Sequence, residues 1–178
     1  MRDIMIDLET MGTRAGCALV SIGAVAFGPK GLGEEFYEVV NSASCKGLFV
    51  DVDTAAWWSK QSQEAREVLR LASRKASSLP LPKALWKFRA YVRGVSVDAR
   101  VWGNGADFDL PILAAAYASI GEDAPWPPFN GRCYRTLKGL AREVKLERGG
   151  THHNALDDAK TQALHLIKIL KKLKLEVT

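Results

Sequence analysis

Sulfur is scarce in this chain: Cys17, Cys45 and Cys133 are its only cysteines among 178 residues. No two of them stand in a Cys-x-x-Cys pair, so neither a structural zinc site nor a redox dithiol is expected. An odd number also argues against a disulfide framework, and the thiols read as reduced ones in a cytoplasmic protein. Long apolar runs are missing as well. No stretch approaches the roughly 18 uninterrupted apolar residues of a membrane helix, and no membrane partner is expected. Met1-Arg2-Asp3 runs straight into an apolar segment, so no signal or transit peptide is expected. With no internal repeat, composition break or low-complexity tail, residues 1–178 are expected to form a single domain. The hydrophobic content of 47% supplies its core. A net charge of +5 suits a polyanionic partner, although many proteins without one share it.

Carboxylates are not scarce, and four of them fall into three short motifs. The first, Asp7-Leu8-Glu9, ends an apolar run. On a strand, residues i and i+2 point to one face, so both acids can project into one cleft while Leu8 points into the core. The second is Asp109, closing Trp102-Gly103-Asn104-Gly105-Ala106-Asp107-Phe108-Asp109. Taken alone, either Asp107 or Asp109 reads equally well as a helix N-cap. The third is His152-His153-Asn154-Ala155-Leu156-Asp157-Asp158-Ala159, where His152 with Asp157 and His153 with Asp158 give the same spacing. Four acids at one centre are what phosphodiester hydrolysis needs. Two divalent cations about 3.5–4 Å apart can activate the attacking water and stabilise the leaving oxygen. Hard ions such as Mg²⁺ take oxygen ligands and keep several waters. A zinc hydrolase built on His152 and His153 is disfavoured, because neighbouring residues cannot share a helix face and no cysteine supports them.

Hydrophobic periodicity predicts an alternating α/β chain. Strands are expected at Asp3–Leu8, Ala18–Phe27 and Leu32–Val40, the last after the turn Gly28-Pro29-Lys30-Gly31. Asp53 or Thr54 is expected to cap a short helix carrying Trp57 and Trp58. Helices follow at Ser62–Ser73 and Lys83–Val92, with a break over Ser77–Pro82. Then come a buried strand at Ala99–Gly103, a helix at Asp109–Ile120 with Pro111 in its first turn, a strand near Arg132–Tyr134 and a helix from Thr136. The last helix is expected over Asn154–Leu173, its basic C-terminal run suiting the macrodipole.

In motif order and spacing the chain resembles the DEDD superfamily of 3′→5′ exonucleases, in the subgroup with a histidine in the last motif (DEDDh). The likeness runs from about Ile4 to about Leu170. It is carried by Asp7-Leu8-Glu9-Thr10, by the Asn-x-x-x-Phe-Asp pattern of Asn104, Phe108 and Asp109, and by His153, Ala155, Asp158 and Ala159. The pair Trp57-Trp58 and the segment Arg132-Cys133-Tyr134-Arg135-Thr136-Leu137 are similar to exonucleases of phages and prophages. The resemblance implies a ribonuclease H-like fold, a mixed central sheet with an antiparallel N-terminal meander and helices on both faces. It selects Asp109 over Asp107, and the register His153 with Asp158. It implies Asp7, Glu9, Asp109 and Asp158 as ligands of two Mg²⁺ ions, with Mn²⁺ able to substitute, and His153 as general base, swinging on a loop loosened by Gly149-Gly150. Asp7 would bridge the ions and Asp109 would reach the second through water. Thr10, Met11, Trp57, Asn104 and Phe108 are the expected substrate contacts, with Trp58 and Trp102 further stacking candidates. Core packing is the competing reading for these aromatics, and the better one for Trp102 and Phe108. Arg14, Lys60, Arg132 and Arg135 are candidates for phosphate. The partner implied is a 3′ end of single-stranded nucleic acid, DNA by the phage likeness or RNA as the alternative, with loss of catalysis a remoter one. The sequence leaves the oligomeric state open and admits a homodimer.

Overall fold

The computed structural model describes residues 1–175; the last three residues of the expected domain, 176–178, lie outside the described residues. Strands β1 (Asp3–Thr10), β2 (Leu19–Gly28) and β3 (Gly31–Val39) form the antiparallel meander. Strand β4 (Arg100–Gly103) pairs parallel to β1, and β5 (Gly131–Cys133) parallel to β4, giving the order β3-β2-β1-β4-β5. Six α-helices accompany the sheet among the described residues: α1 (Val52–Ser59), α2 (Gln63–Ala72), α3 (Leu81–Val95), α4 (Asp109–Ser119), α5 (Tyr134–Leu140) and α6 (Ala155–Lys172). None of them is long and apolar enough to cross a membrane.

The alternation of β1 divides the core. Ile4, Ile6 and Leu8 pack with Leu85 and Phe88 of α3 and Ile112 and Leu113 of α4. Met5 points the other way, into a cluster with Ala159, Ala163 and Leu166 of α6 and Tyr134 of α5. Helices therefore cover both faces, and each large apolar side chain buried there contributes roughly 1.5–3 kcal/mol. The period of two carries Asp7 and Glu9 onto the α6 face.

Asp3, 1% exposed, fixes the start of the parallel pair. It accepts hydrogen bonds from the Arg100 guanidinium and, at 2.8 Å, from Trp102 Nε1. Pairing of a buried charge in this way avoids the cost of leaving it bare. The β1–β4 ladder ends at Met5 with Trp102. Beyond that point no β1–β4 pairing continues among the described residues, and residues at both strand ends, Asp7 to Thr10 and Asn104, line the cleft.

Three local expectations shift. The cap of α1 is Asp51, whose carboxylate accepts from Thr54 N–H at 3.0 Å, not Asp53 or Thr54. Helix α3 starts at Leu81 because Pro82 fits the first turn, where its missing N–H has no partner to lose. Helix α5 starts at Tyr134 and directly succeeds β5, two residues earlier than the expected Thr136.

Candidate functional site

Asp7 and Glu9 leave β1 side by side on the face that α6 covers. Asp7 is opposite Gly23 in the β1–β2 register. A Cβ at Gly23 would lie 2.1 Å from the carbonyl carbon of Ala155 and 2.3 Å from Leu156 N, so the α6 N-terminus rests directly on the backbone of β2. Only glycine allows this approach. It sets Asp158, in the first turn of α6, over the strand acids, and oxygens of Asp7, Glu9 and Asp158 lie within 4.8 Å of one another. One turn further along, Gln162 Nε2 donates to Asp7 Oδ1 at 2.7 Å.

The N-terminus of α6 is held by three side chains. Asn154 caps it, accepting from Leu156 N–H and Asp157 N–H. Asp157 accepts from Thr151 N–H at 2.8 Å, and Asp158 Oδ2 from His153 N–H at 2.9 Å. The two adjacent aspartates thus divide the work: Asp157 ties the loop, and Asp158 turns to the strand acids. Gly150 is not a swivel. Its Cβ would meet the Asp157 carboxylate at 2.3 Å and its φ is +72°, so it permits a close contact that pins the loop.

Asp109 is the first residue of α4, but it does not cap that helix. Its Oδ1 accepts from Leu8 N–H at 3.2 Å and its Oδ2 from Asn104 N–H at 2.8 Å. The carboxylate bridges the ends of β1 and β4 and is 1% exposed. It lies outside the close group of Asp7, Glu9 and Asp158, behind it and within its field. Asp107 is exposed.

The electrostatics are those of crowded, buried acids. Burial, and then Asp109, Glu9 and Asp158, push the Asp7 carboxyl well above the usual range, against the Gln162 hydrogen bond. Glu9 is pushed up to about 8 by burial, Asp158 and Asp109. Asp109 rises to about 6 through burial, opposed by the N–H groups of Asn104 and Leu8. Arg148, on the exposed rim, reaches Asp158 at 3.3 Å. Among the described residues, Gln162 Oε1 is buried without a donor. A set of hard oxygen ligands, mutually repelling and with an orphan acceptor beside them, fits divalent cations of the Mg²⁺ type.

Asp7, Glu9, Asp158, Arg148 and Gln162 line one cavity of about 660 Å³, and Asp109 does not reach it. His153 enters it in a left-handed conformation (φ +63°), its ring 4.9 Å from that of Trp57. Burial, followed by His152, lowers its pKa. The expectation that His152 and His153 must diverge is overturned: the turn stacks their rings at 3.8 Å, and both line the cavity. The tryptophans both line the cavity with their rings edge to face at 5.1 Å, but they differ in exposure. Trp58 is buried and its Nε1 donates to the Thr10 carbonyl at 2.9 Å, while Trp57 is 42% exposed along the cavity. Thr10, Asn104 and Phe108 also line it. Met11 does not; its side chain packs against the core and its backbone bonds to Ala18 and Asp51. Trp102 belongs to the core. Arg135 donates to the Asn104 carbonyl at 2.6 Å, steadying the second motif, and Arg14 lies over Phe49. Sequence reasoning passed over Gln162, Arg148, Gly23 and the buried His165. Helical spacing from Asp158 could have flagged Gln162, four residues on; nothing local marks the others.

Residues 2–170 match the family described as the 3'-5' exoribonuclease Rv2179c-like domain. An exodeoxyribonuclease of Enterobacteria phage T4 is 28% identical over 129 residues, covering 64% of this chain and 54% of its own length. The chain thus spans about half the length of that curated relative. Among solved structures, the nuclease domain of 3'hExo, a DEDDh family member bound to rAMP, superposes with a TM-score of 0.64 at 14% identity, over 96% of this chain and 92% of the other. Exonuclease X, in complex with 5′ overhanging duplex DNA, gives 0.60 at 16% identity over the same shares. At those identities the likeness establishes the fold, and the arrangement described above is ribonuclease H-like.

Proposed function

Because the chain belongs to the 3'-5' exoribonuclease Rv2179c-like domain family, we propose that it is a metal-dependent 3′→5′ exonuclease releasing nucleoside 5′-monophosphates from single-stranded DNA 3′ ends or 3′ overhangs. The observation that carries this reading is the convergence of Asp7, Glu9 and Asp158 beside His153 in one cavity. Asp7, Glu9 and Asp158 would hold two divalent cations, Mg²⁺ or Mn²⁺, with the buried Asp109 acting on them through its charge. When bound, these neutralise charge building on the phosphoryl group and assist the attacking and leaving oxygens.

The chain's own groups do the rest. His153, kept neutral by burial, accepts the proton of the attacking water near neutral pH. Asp158 positions it by accepting from its backbone N–H. Gln162 orients the Asp7 carboxylate. Trp57 and Phe108 flank the terminal base, Trp57 through its exposed face, and stacking of this kind tolerates any sequence. Thr10 and Asn104 complete the pocket for a terminal nucleotide. Residues 1–178 serve this role as one domain.

DNA is favoured by the named activity of the phage T4 relative. A second reading, an exoribonuclease trimming RNA 3′ ends, is favoured by the family description. Matched 5′-labelled DNA and RNA strands, incubated with Mg²⁺ or with chelator, test both at once. Metal-dependent descending ladders on DNA are expected. A preference for RNA replaces the first reading by the second, and no turnover of either strand refutes both.

A further inference from the structure

The cleft has an electrical gradient across it. On the α1 side its wall carries Asp51 and Asp53; on the other side, α5 and the segment leading to α6 supply Lys138 and Arg148. Beyond this basic wall lies a second hollow of about 420 Å³, lined by Lys138, Arg142, Val144, Lys145, Leu146 and His165, with no acid among them. Lys138 and Leu146 line both hollows, so the two adjoin across these side chains.

The cations there are uncommitted. Among the described residues Lys138, Arg142 and Lys145 form no ion pair, whereas Lys87, Lys160 and Lys168 are each paired with a glutamate. Lys138 has the Tyr134 ring at 6.0 Å, and Arg142 Nε donates to the Gly139 carbonyl at 3.3 Å. The segment also carries two acids: Glu143, exposed between Arg142 and Lys145 but outside the hollow's lining, and Glu147, held by Lys168 at 2.8 Å. The floor is fixed. His165 is 3% exposed; its Nε2–H donates to the Val144 carbonyl at 2.8 Å, leaving Nδ1 to accept the Tyr134 hydroxyl proton at 2.6 Å. This ties α5, the connecting segment and α6 together and keeps Lys145 beside Arg142.

We propose that this second hollow is a subsite for the phosphodiester backbone of the substrate strand. The 3′-terminal nucleotide occupies the cleft, and the strand leaves over Lys138 and continues across Arg142 and Lys145. The acidic α1 wall disfavours the opposite exit by like-charge repulsion. The subsite reads phosphate spacing and not bases, since its polar groups are cationic side chains. It rests on the exonuclease reading and adds a direction to it.

The test compares wild type with the Arg142→Gln/Lys145→Gln double variant; both side chains are exposed. A fluorescent single strand of about a dozen nucleotides, within the range of site sizes that such grooves cover, reports affinity by anisotropy across a salt series. Each single-strand phosphate contact carries a salt exponent of about 0.7, or about fivefold at 0.1 M salt. The double variant should therefore bind about 25-fold more weakly at 0.1 M, with a salt slope reduced by about 1.4. Its kcat/KM on a dinucleotide, too short to reach the hollow, should match wild type, and the charge-keeping Arg142→Lys/Lys145→Arg protein should bind the long strand as wild type does. Unchanged affinity and slope overturn the proposal. So does an equal loss on the dinucleotide, or capture of inorganic phosphate by the hollow without any effect on strand binding. The anisotropy measurement decides the matter even if no substrate is cleaved, which separates failure of this proposal from failure of the catalytic reading.

Discussion

Gly23→Ala puts a methyl group where the backbone of α6 already lies. The added Cβ would sit 2.1 Å from the Ala155 carbonyl carbon, and ordinary contact begins at 3.4 Å. The two must separate by 3.4 − 2.1 = 1.3 Å. Neither side yields easily, because one is a strand buried on both faces and the other a capped helix start. Overpacking of this kind costs about 1–3 kcal/mol. For a chain of this size that lowers Tm by roughly 2–12 °C. The functional loss should be larger than the stability loss implies. Asp158 and the His153 loop ride on the displaced helix end, and a misplacement of about 1 Å can cost about 10²-fold in rate. Single-turnover cleavage of an end-labelled strand, with calorimetric Mg²⁺ affinity and thermal melts alongside, measures all three. Gly94→Ala is the control: that glycine is in α3 with nothing near its Cβ position, so helix propensity alone predicts a gain of up to about 1 kcal/mol. A folded Gly23→Ala protein with wild-type Mg²⁺ affinity and turnover would refute the claim that this close approach builds the site.

The raised carboxyls make a prediction in pH. The folded metal-free protein binds more protons than the unfolded chain between the ordinary carboxylate range and about 8, where Glu9 titrates. Its stability should fall as pH rises through that window, with Asp7 acting in the same sense. Melts from pH 5 to 8.5 check this, and saturating Mg²⁺ should flatten the slope. For the imidazoles, His153→Ala should lose roughly 10²–10⁴-fold in the chemical step. His152→Ala should lose much less although its ring also lines the cavity, because His152 is the more exposed of the pair; single-turnover rates at saturating Mg²⁺ rank them. Trp57→Ala should weaken binding by roughly 1–3 kcal/mol, the worth of one stacked base, read as a rise in KM with little change in kcat.

Much of this was legible because period and spacing act locally. The alternation of β1 put Asp7 and Glu9 on one face, and Asn154 at the head of α6 marked where Asp158 would project. What sequence could not supply was contact across the fold. The split between Trp57 and Trp58 depends on which indole reaches the Thr10 carbonyl, 48 residues away. Met11 looked like a lining residue by its position after the first motif, yet Ala18 and Asp51 claim its backbone. Asp109 was read as either a cap or a metal ligand, whereas its oxygens accept from the N–H groups of Leu8 and Asn104. Gly149-Gly150 suggested looseness because glycine is permissive, but permissiveness at Gly150 serves a tight packing against Asp157. The rule that neighbours point apart holds on helices and strands; His152 and His153 occupy a turn, with one residue at positive φ, and it fails there.

The central claim, a cation-dependent exonuclease centre at Asp7, Glu9 and Asp158, is tested most directly by one comparison. Wild type and Asp158→Ala are given a 5′-labelled linear strand and a covalently closed single-stranded circle, each with Mg²⁺. The account predicts a descending ladder from the linear strand, an intact circle, and neither product from Asp158→Ala, whose metal-free melting temperature should hold or rise as carboxylate repulsion is relieved. Cutting of the circle, or a ladder of wild-type intensity from Asp158→Ala, would contradict it.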